Sequence, residues 1–102
     1  MRIAIAIGSL PSGSDRIPAF QQTIEAVASQ PAAADRVAFV APGDEPRRSA
    51  CGRVPGLRIV SRDLASFAQR RNALIGETSG DWVIFIEESC IPGVNWLSSL
   101  VA

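Results

Sequence analysis

Two carboxylates and a hydroxyl follow an uninterrupted apolar stretch near the C-terminus of this 102-residue chain. The stretch is WVIFI, residues 82–86, and Glu87, Glu88 and Ser89 come directly after it. A run that is apolar on both faces is typical of a strand inside a covered parallel sheet. A charge at the end of such a strand is costly to bury unless another group compensates it. The pattern indicates a metal or phosphate site, with helix capping or simple solvent exposure as the alternatives.

Arg71 is the second residue whose position suggests chemistry. It lies seven residues after Leu64, on the apolar stripe predicted for a helix from about Asp63 to Thr78. A guanidinium on such a stripe either reaches past the apolar surface to water or points to an anionic or planar group of a ligand. The sequence leaves both arrangements open.

The composition limits the available chemistry to carboxylates, arginines, hydroxyls and two cysteines. Histidine, the commonest general base and metal ligand, is absent, and ten arginines balance ten acidic residues. Without lysine the chain lacks a Schiff-base residue and a P-loop cation, although Gly8–Ser14 has P-loop-like glycine spacing. The balanced charge gives no indication of a nucleic-acid or anionic-membrane partner.

The cysteines and the apolar runs indicate a cytoplasmic protein. Cys51 and Cys90 are too far apart for metal-ligand spacing, so we interpret them as free thiols without a catalytic role. No stretch approaches the roughly 18 apolar residues that span a bilayer. The N-terminal apolar run covers only Ile3–Gly8 and lacks a small-residue cleavage site, which favours a strand over a signal peptide.

Strands are expected to alternate with helices along the chain. The strands are predicted at Arg2–Ile7, Arg36–Ala41, Leu57–Ser61 and Trp82–Ile86, and the helices at about Asp15–Ser29, Asp63–Thr78 and from Val94 onward. We expect Arg47–Gly56 to be an irregular connection or a frayed short helix. The alternation predicts one α/β domain with three α/β/α layers and a mostly parallel sheet of about four strands. Such sheets bind ligands at the carboxyl ends of their strands, where Glu87 falls.

The segment Arg70–Val101 resembles part of the family 2 glycosyltransferases, which have the GT-A fold. It reads RRNALIGETSGDWVIFIEESCIPGVNWLSSLV. The shared pattern is an Arg-Asn pair, a Gly-Asp pair before the fourth strand, carboxylates after it, and then a proline and an aromatic-leucine pair. The matching residues are Arg71, Asn72, Gly80, Asp81, Phe85, Pro92, Trp96 and Leu97. Upstream of this segment, only the order of strands and helices is similar to the family.

The resemblance implies the Rossmann-like, nucleotide-binding half of a GT-A fold. Such a domain binds a nucleotide-diphospho-sugar for inverting transfer of the sugar to an acceptor hydroxyl. The resemblance also implies a divalent cation, Mg²⁺ or Mn²⁺, on the diphosphate, with Glu87 and Ser89 at the positions of the family's metal-binding aspartates. The other expected contacts to the nucleotide-sugar are Ser9, Asp44, Arg71, Asn72 and Glu88.

Departures from the family pattern keep a second interpretation open. Ser89 offers a hydroxyl where the family has a carboxylate. Ala41 and Pro42 occupy the positions at which the family has an acidic pair that recognises the base of the nucleotide. The family's acceptor half lies downstream of the position of Ala102, so we expect a truncated domain that transfers no sugar by itself. The apolar surface left exposed would support homo-oligomers. The alternative is a non-catalytic binding or scaffold module of the same fold.

Overall fold

The computed structural model describes residues 2–8, 17–30, 33–78 and 80–87. Four strands and three helices alternate in this part of the chain. They are β1 (Ile3–Gly8), α1 (Ile17–Ala28), β2 (Ala33–Phe39), α2 (Glu45–Gly52), β3 (Arg58–Val60), α3 (Phe67–Glu77) and β4 (Trp82–Glu87). No helix among these residues is long and apolar enough to cross a membrane. The helix expected from Val94 lies outside the described residues.

All four strands are parallel, in the spatial order β3-β2-β1-β4. The chain steps outward from β1 to β3 through α1 and α2, and α3 then returns it to the other side of β1. Residues of α1 and α2, among them Phe20 and Cys51, cover one face of the sheet, and Leu74 of α3 covers the other. The protein therefore has the small three-layer, Rossmann-like α/β fold that the alternation predicts.

The central strand β1 explains why two layers of helices fit this sheet. Its residues are buried throughout, with Ile3, Ile5 and Ile7 in the core on the α1 side and Ala6 in the core on the α3 side. Full burial of one isoleucine side chain stabilises a fold by about 1.5–3 kcal/mol. The small alanine side chain allows α3 to approach the sheet closely.

Helix α2 overlaps the segment 47–56, for which the sequence left an irregular connection and a frayed short helix as alternatives. Asp44 is its N-cap and accepts a hydrogen bond from the backbone N–H of Arg47, and a proline lies in the first turn. These start signals are present in the sequence. The helix nevertheless buries only Ala50 and Cys51 as apolar residues, so its hydrophobic periodicity is weak.

Helix α3 begins later than predicted, and this changes which arginine faces the sheet. A reciprocal capping box between Ser66 and Gln69 starts the helix at Phe67, so Leu64 precedes it. The prediction that Arg71 lies on the apolar stripe is wrong, because its spacing was measured from Leu64, a residue outside the helix. Arg71 is exposed, whereas Arg70 is buried.

Candidate functional site

The carboxyl ends of β1 and β4 form the point at which the strand order reverses. Strands β2 and β3 extend the sheet on one side of β1, and β4 lies on the other. Open α/β sheets bind ligands in the crevice at such a switch point. Gly8 and Glu87 end the two strands and are register partners, and Glu87 is exposed. The structure therefore places the Glu87 carboxylate at the expected ligand edge.

An aromatic pair lies beside this switch point on the α3 side of the sheet. The ring of Phe85 covers Gly8 so closely that a Cβ atom added to Gly8 would lie 2.4 Å from Phe85 Cζ. Phe85 also meets Phe67 edge to face, with ring centroids 5.6 Å apart and an interplanar angle of 85°. Phe85 of β4 therefore contacts both the end of β1 and the start of α3. Sequence reasoning missed this contact, since no local pattern reports which distant residues meet.

Asp44 lies beyond the carboxyl end of β2, and its carboxylate has a clear role in the fold. It accepts from the backbone N–H of Arg47 at 3.3 Å and from the Arg47 guanidinium at 2.9 Å. Arg47 is only 2% exposed, and its guanidinium carbon lies 5.5 Å from the centroid of the Phe20 ring. Asp44 thus compensates a buried cation and caps α2. Its contact with a nucleotide-sugar stays a prediction.

Arg70 is the buried arginine of α3, and the sequence analysis assigned it no role. Its Nε donates to the carbonyl of Leu64 at 2.8 Å, and its guanidinium carbon lies 5.0 Å from the centroid of the Phe39 ring. Arg70 therefore holds the chain before α3 against the last residue of β2. The signal that could have identified it is its spacing of four residues from Leu74, which places both side chains on the same face of the helix.

The remaining predicted ligand residues are only partly represented in the described chain. Arg71 and Asn72 are both exposed on α3. The other predicted ligand residues, Ser9, Glu88 and Ser89, lie outside the described residues. Within the described ranges, no group of three His, Cys, Asp or Glu side chains is placed to hold a metal ion. The cation and its ligands Glu87 and Ser89 therefore stay predictions.

Two residues of the glycosyltransferase-like pattern act at the opposite edge of the sheet. A Cβ atom at Gly80 would lie 3.1 Å from the carbonyl oxygen of Arg2, so only glycine fits without a shift. The Asp81 carboxylate accepts from the backbone N–H of Arg2 at 2.9 Å, and the Asp81 N–H donates to the Arg2 carbonyl at 2.8 Å. These contacts hold the start of β4 beside β1. The Gly-Asp pair is therefore explained by the fold without a ligand.

Cys51 is a free, buried thiol in the core between α2 and the sheet. Burial raises the pKa of the Cys51 thiol to about 11, and the nearby charge of Arg48 offsets this only in part. A thiol with a raised pKa is a poor nucleophile at neutral pH. The predicted free thiol at Cys51 is therefore confirmed, whereas Cys90 lies outside the described residues.

The raised pKa of Cys51 predicts a loss of stability in alkaline solution. The unfolded thiol, with a pKa of 9.0, loses its proton before the folded thiol, with a pKa of about 11. The unfolded state therefore binds fewer protons in this interval, and the free energy of unfolding falls as the pH rises through it. The expected loss is about 2 kcal/mol at about pH 10.5. Urea unfolding at about pH 8 and about pH 10.5 measures it.

The composition makes this a clean measurement, because the chain has no tyrosine and no lysine. In a Cys90→Ala background, Cys51 is the one side chain whose unfolded-state pKa lies between about pH 8 and about pH 10.5. The Cys51→Ala variant in that background should lose most of the pH dependence. If the stability falls equally with and without Cys51, the raised pKa of Cys51 is not the cause of the alkaline loss.

No model of a known protein family matches the sequence, and no curated protein matches it significantly. The resemblance to the family 2 glycosyltransferases therefore rests on the sequence pattern of Arg70–Val101.

Proposed function

We propose that this chain binds a nucleotide-diphospho-sugar at the carboxyl edge of its sheet, as the donor-binding half of an inverting glycosyltransferase. The observation that carries the proposal is the switch point between β1 and β4, where Gly8 and Glu87 are register partners at the strand ends. A ligand is expected at this point in an open parallel sheet. The exposed Glu87 carboxylate there gives the ligand a specific chemical partner.

The residues at this edge suit a diphosphate held through a divalent cation. Glu87 supplies a carboxylate oxygen, which is the ligand type that Mg²⁺ and Mn²⁺ prefer, and Glu88 and Ser89 follow it in sequence. A bound cation would neutralise the charge that develops on the leaving nucleoside diphosphate. Arg71 supplies a guanidinium on the exposed surface of α3 that can contact a phosphate or a planar group directly.

The second candidate function is a non-catalytic binding or scaffold module. It is favoured by the absence of an acidic pair at Ala41 and Pro42, where the family that the chain resembles contacts the base, and by the pairing of the nearby Asp44 carboxylate with the buried Arg47. Two large apolar side chains also fit a role in association. Trp82 is 62% exposed and Ile75 is 45% exposed. In this second proposal, copies of the chain or a partner cover these side chains.

Calorimetry on two variants tests the proposed ligand site. Arg71→Ala should weaken the binding of UDP or GDP by about one to two decades, with or without metal, because a charge-assisted contact contributes about 1.5–3 kcal/mol. Glu87→Ala should weaken binding only when Mg²⁺ or Mn²⁺ is present, because its carboxylate acts through the cation. We expect the metal effect to be small, since a hydroxyl at Ser89 replaces a carboxylate.

Matched controls are available at the opposite edge of the sheet. Helix α1 runs from the carboxyl edge to the amino edge, so the exposed Glu25 near its end is far from the switch point. The exposed Arg53 follows the end of α2 in the same way. Glu25→Ala and Arg53→Ala should leave the affinity unchanged. Wild-type protein that binds no nucleotide with metal present rules out the site, and a metal-independent loss in Glu87→Ala rules out the cation role.

A further inference from the structure

The Phe67–Phe85 pair has features of a ligand-binding surface as well as a packing contact. Both rings are only partly buried, although they lie at the carboxyl edge beside Gly8. Phe85 packs against the core cluster on the α3 side. Phe67 opens α3 and meets Phe85 edge to face. An edge-to-face pair leaves part of an aromatic face open to a further planar group.

The groups around the pair define which ligand would suit it. Arg71 follows Phe67 by one helical turn, so the two residues are neighbours on the surface of α3. Glu87 follows Phe85 by two residues in β4, so their side chains lie on the same face of the sheet. The aromatic surface therefore has a guanidinium on its helix side and a carboxylate on its strand side. A ligand with a planar ring, an anionic tail and a cation bound to that tail matches this arrangement.

We propose that the nucleobase of the donor lies on the Phe67–Phe85 pair, an assignment that rests on the function proposed above. Aromatic side chains bind bases through their faces and edges, and this contact tolerates any base because every base has such a face. The Asp44 carboxylate already pairs with Arg47, and the aromatic pair offers the base a separate contact surface. We expect UDP and GDP to bind with similar affinity, since stacking does not read the hydrogen-bonding edge of a base.

The test compares three probes in the presence of Mn²⁺: UDP, pyrophosphate and uridine. Wild-type protein should bind UDP about tenfold more tightly than pyrophosphate, because only UDP carries the base. Phe67→Leu should lower the UDP affinity by at least about fivefold and leave the pyrophosphate affinity unchanged. Leucine keeps an apolar contact with Phe85, and unchanged urea unfolding would verify the fold. Phe67→Tyr retains the ring and should keep the wild-type affinity for UDP.

The controls and outcomes separate this assignment from the proposed function. Ile75→Ala removes an exposed apolar side chain from the same helix and should change no affinity. Wild-type protein that binds UDP and pyrophosphate equally, or a Phe67→Leu variant with wild-type affinity for UDP, overturns the aromatic base site alone. Binding of uridine that Phe67→Leu abolishes, without binding of pyrophosphate, supports the base site and overturns the diphosphate site. Binding of none of the probes overturns both.

Discussion

Asp44→Ala is expected to lower the free energy of unfolding by about 3 kcal/mol, the lower end of the range for breaking a buried ion pair. The substitution leaves the Arg47 guanidinium, whose side chain is 3% exposed, without the carboxylate that lies 2.9 Å away. It also removes the N-cap of α2, which contributes about 1 kcal/mol of this loss. The Asp44 side chain is itself 22% exposed, which places the estimate at the lower end.

Two further variants separate the charge from the cap. Asp44→Asn keeps an oxygen that can accept from the Arg47 N–H, so it should recover the cap and remain destabilised by the loss of the ion pair. Replacing both partners, with Asp44→Ala and Arg47→Met together, should recover part of the loss because no buried charge remains. Urea unfolding at constant m-value measures all three variants. A loss below about 1 kcal/mol for Asp44→Ala would show that the pair does not support α2.

Gly8→Val is expected to destabilise the protein by about 3 kcal/mol, and Gly8→Ala by less, because both force atoms into a packed site. The added Cβ would lie 2.4 Å from Phe85 Cζ and 3.1 Å from Phe85 Cε2, so the ring must move. That movement would also disturb its edge-to-face contact with Phe67. Urea unfolding should show the graded order, and UDP binding should fall in parallel.

The same substitution elsewhere provides the control. Gly76 lies in α3 with nothing within 4 Å of an added Cβ, so Gly76→Ala should stabilise the protein by about 0.5–1 kcal/mol through helix propensity. The double variant with Gly8→Ala and Phe85→Leu should lose less free energy of unfolding than the two single variants lose together, because the smaller leucine side chain leaves space for the alanine Cβ. Simple additivity would show that Phe85 is not the residue that excludes a side chain at Gly8.

Local patterns in the sequence were sufficient for the class of the fold. Strands were predicted from the apolar runs around Ile5 and Ile84, and a helix from the periodicity of Ile17–Ala28, and the structure has them there. These patterns involve only residues that are close together in the sequence. Parallel pairing also followed, since helices connect successive strands. Helix α2 was predicted only as one of two alternatives, because its buried face includes the Arg47 side chain, which is charged although it packs on Phe20.

Only the tertiary structure decided which side chains meet at the carboxyl edge. The packing of α3 on the sheet buries Arg70 together with Leu74 and leaves Arg71 exposed. Strand order placed Glu87 beside Gly8, although the two residues lie near opposite ends of the described chain. The contact of Phe85 with Gly8 follows from that order, because pairing between distant strands depends on the whole packed sheet and leaves no signal in a short stretch of sequence.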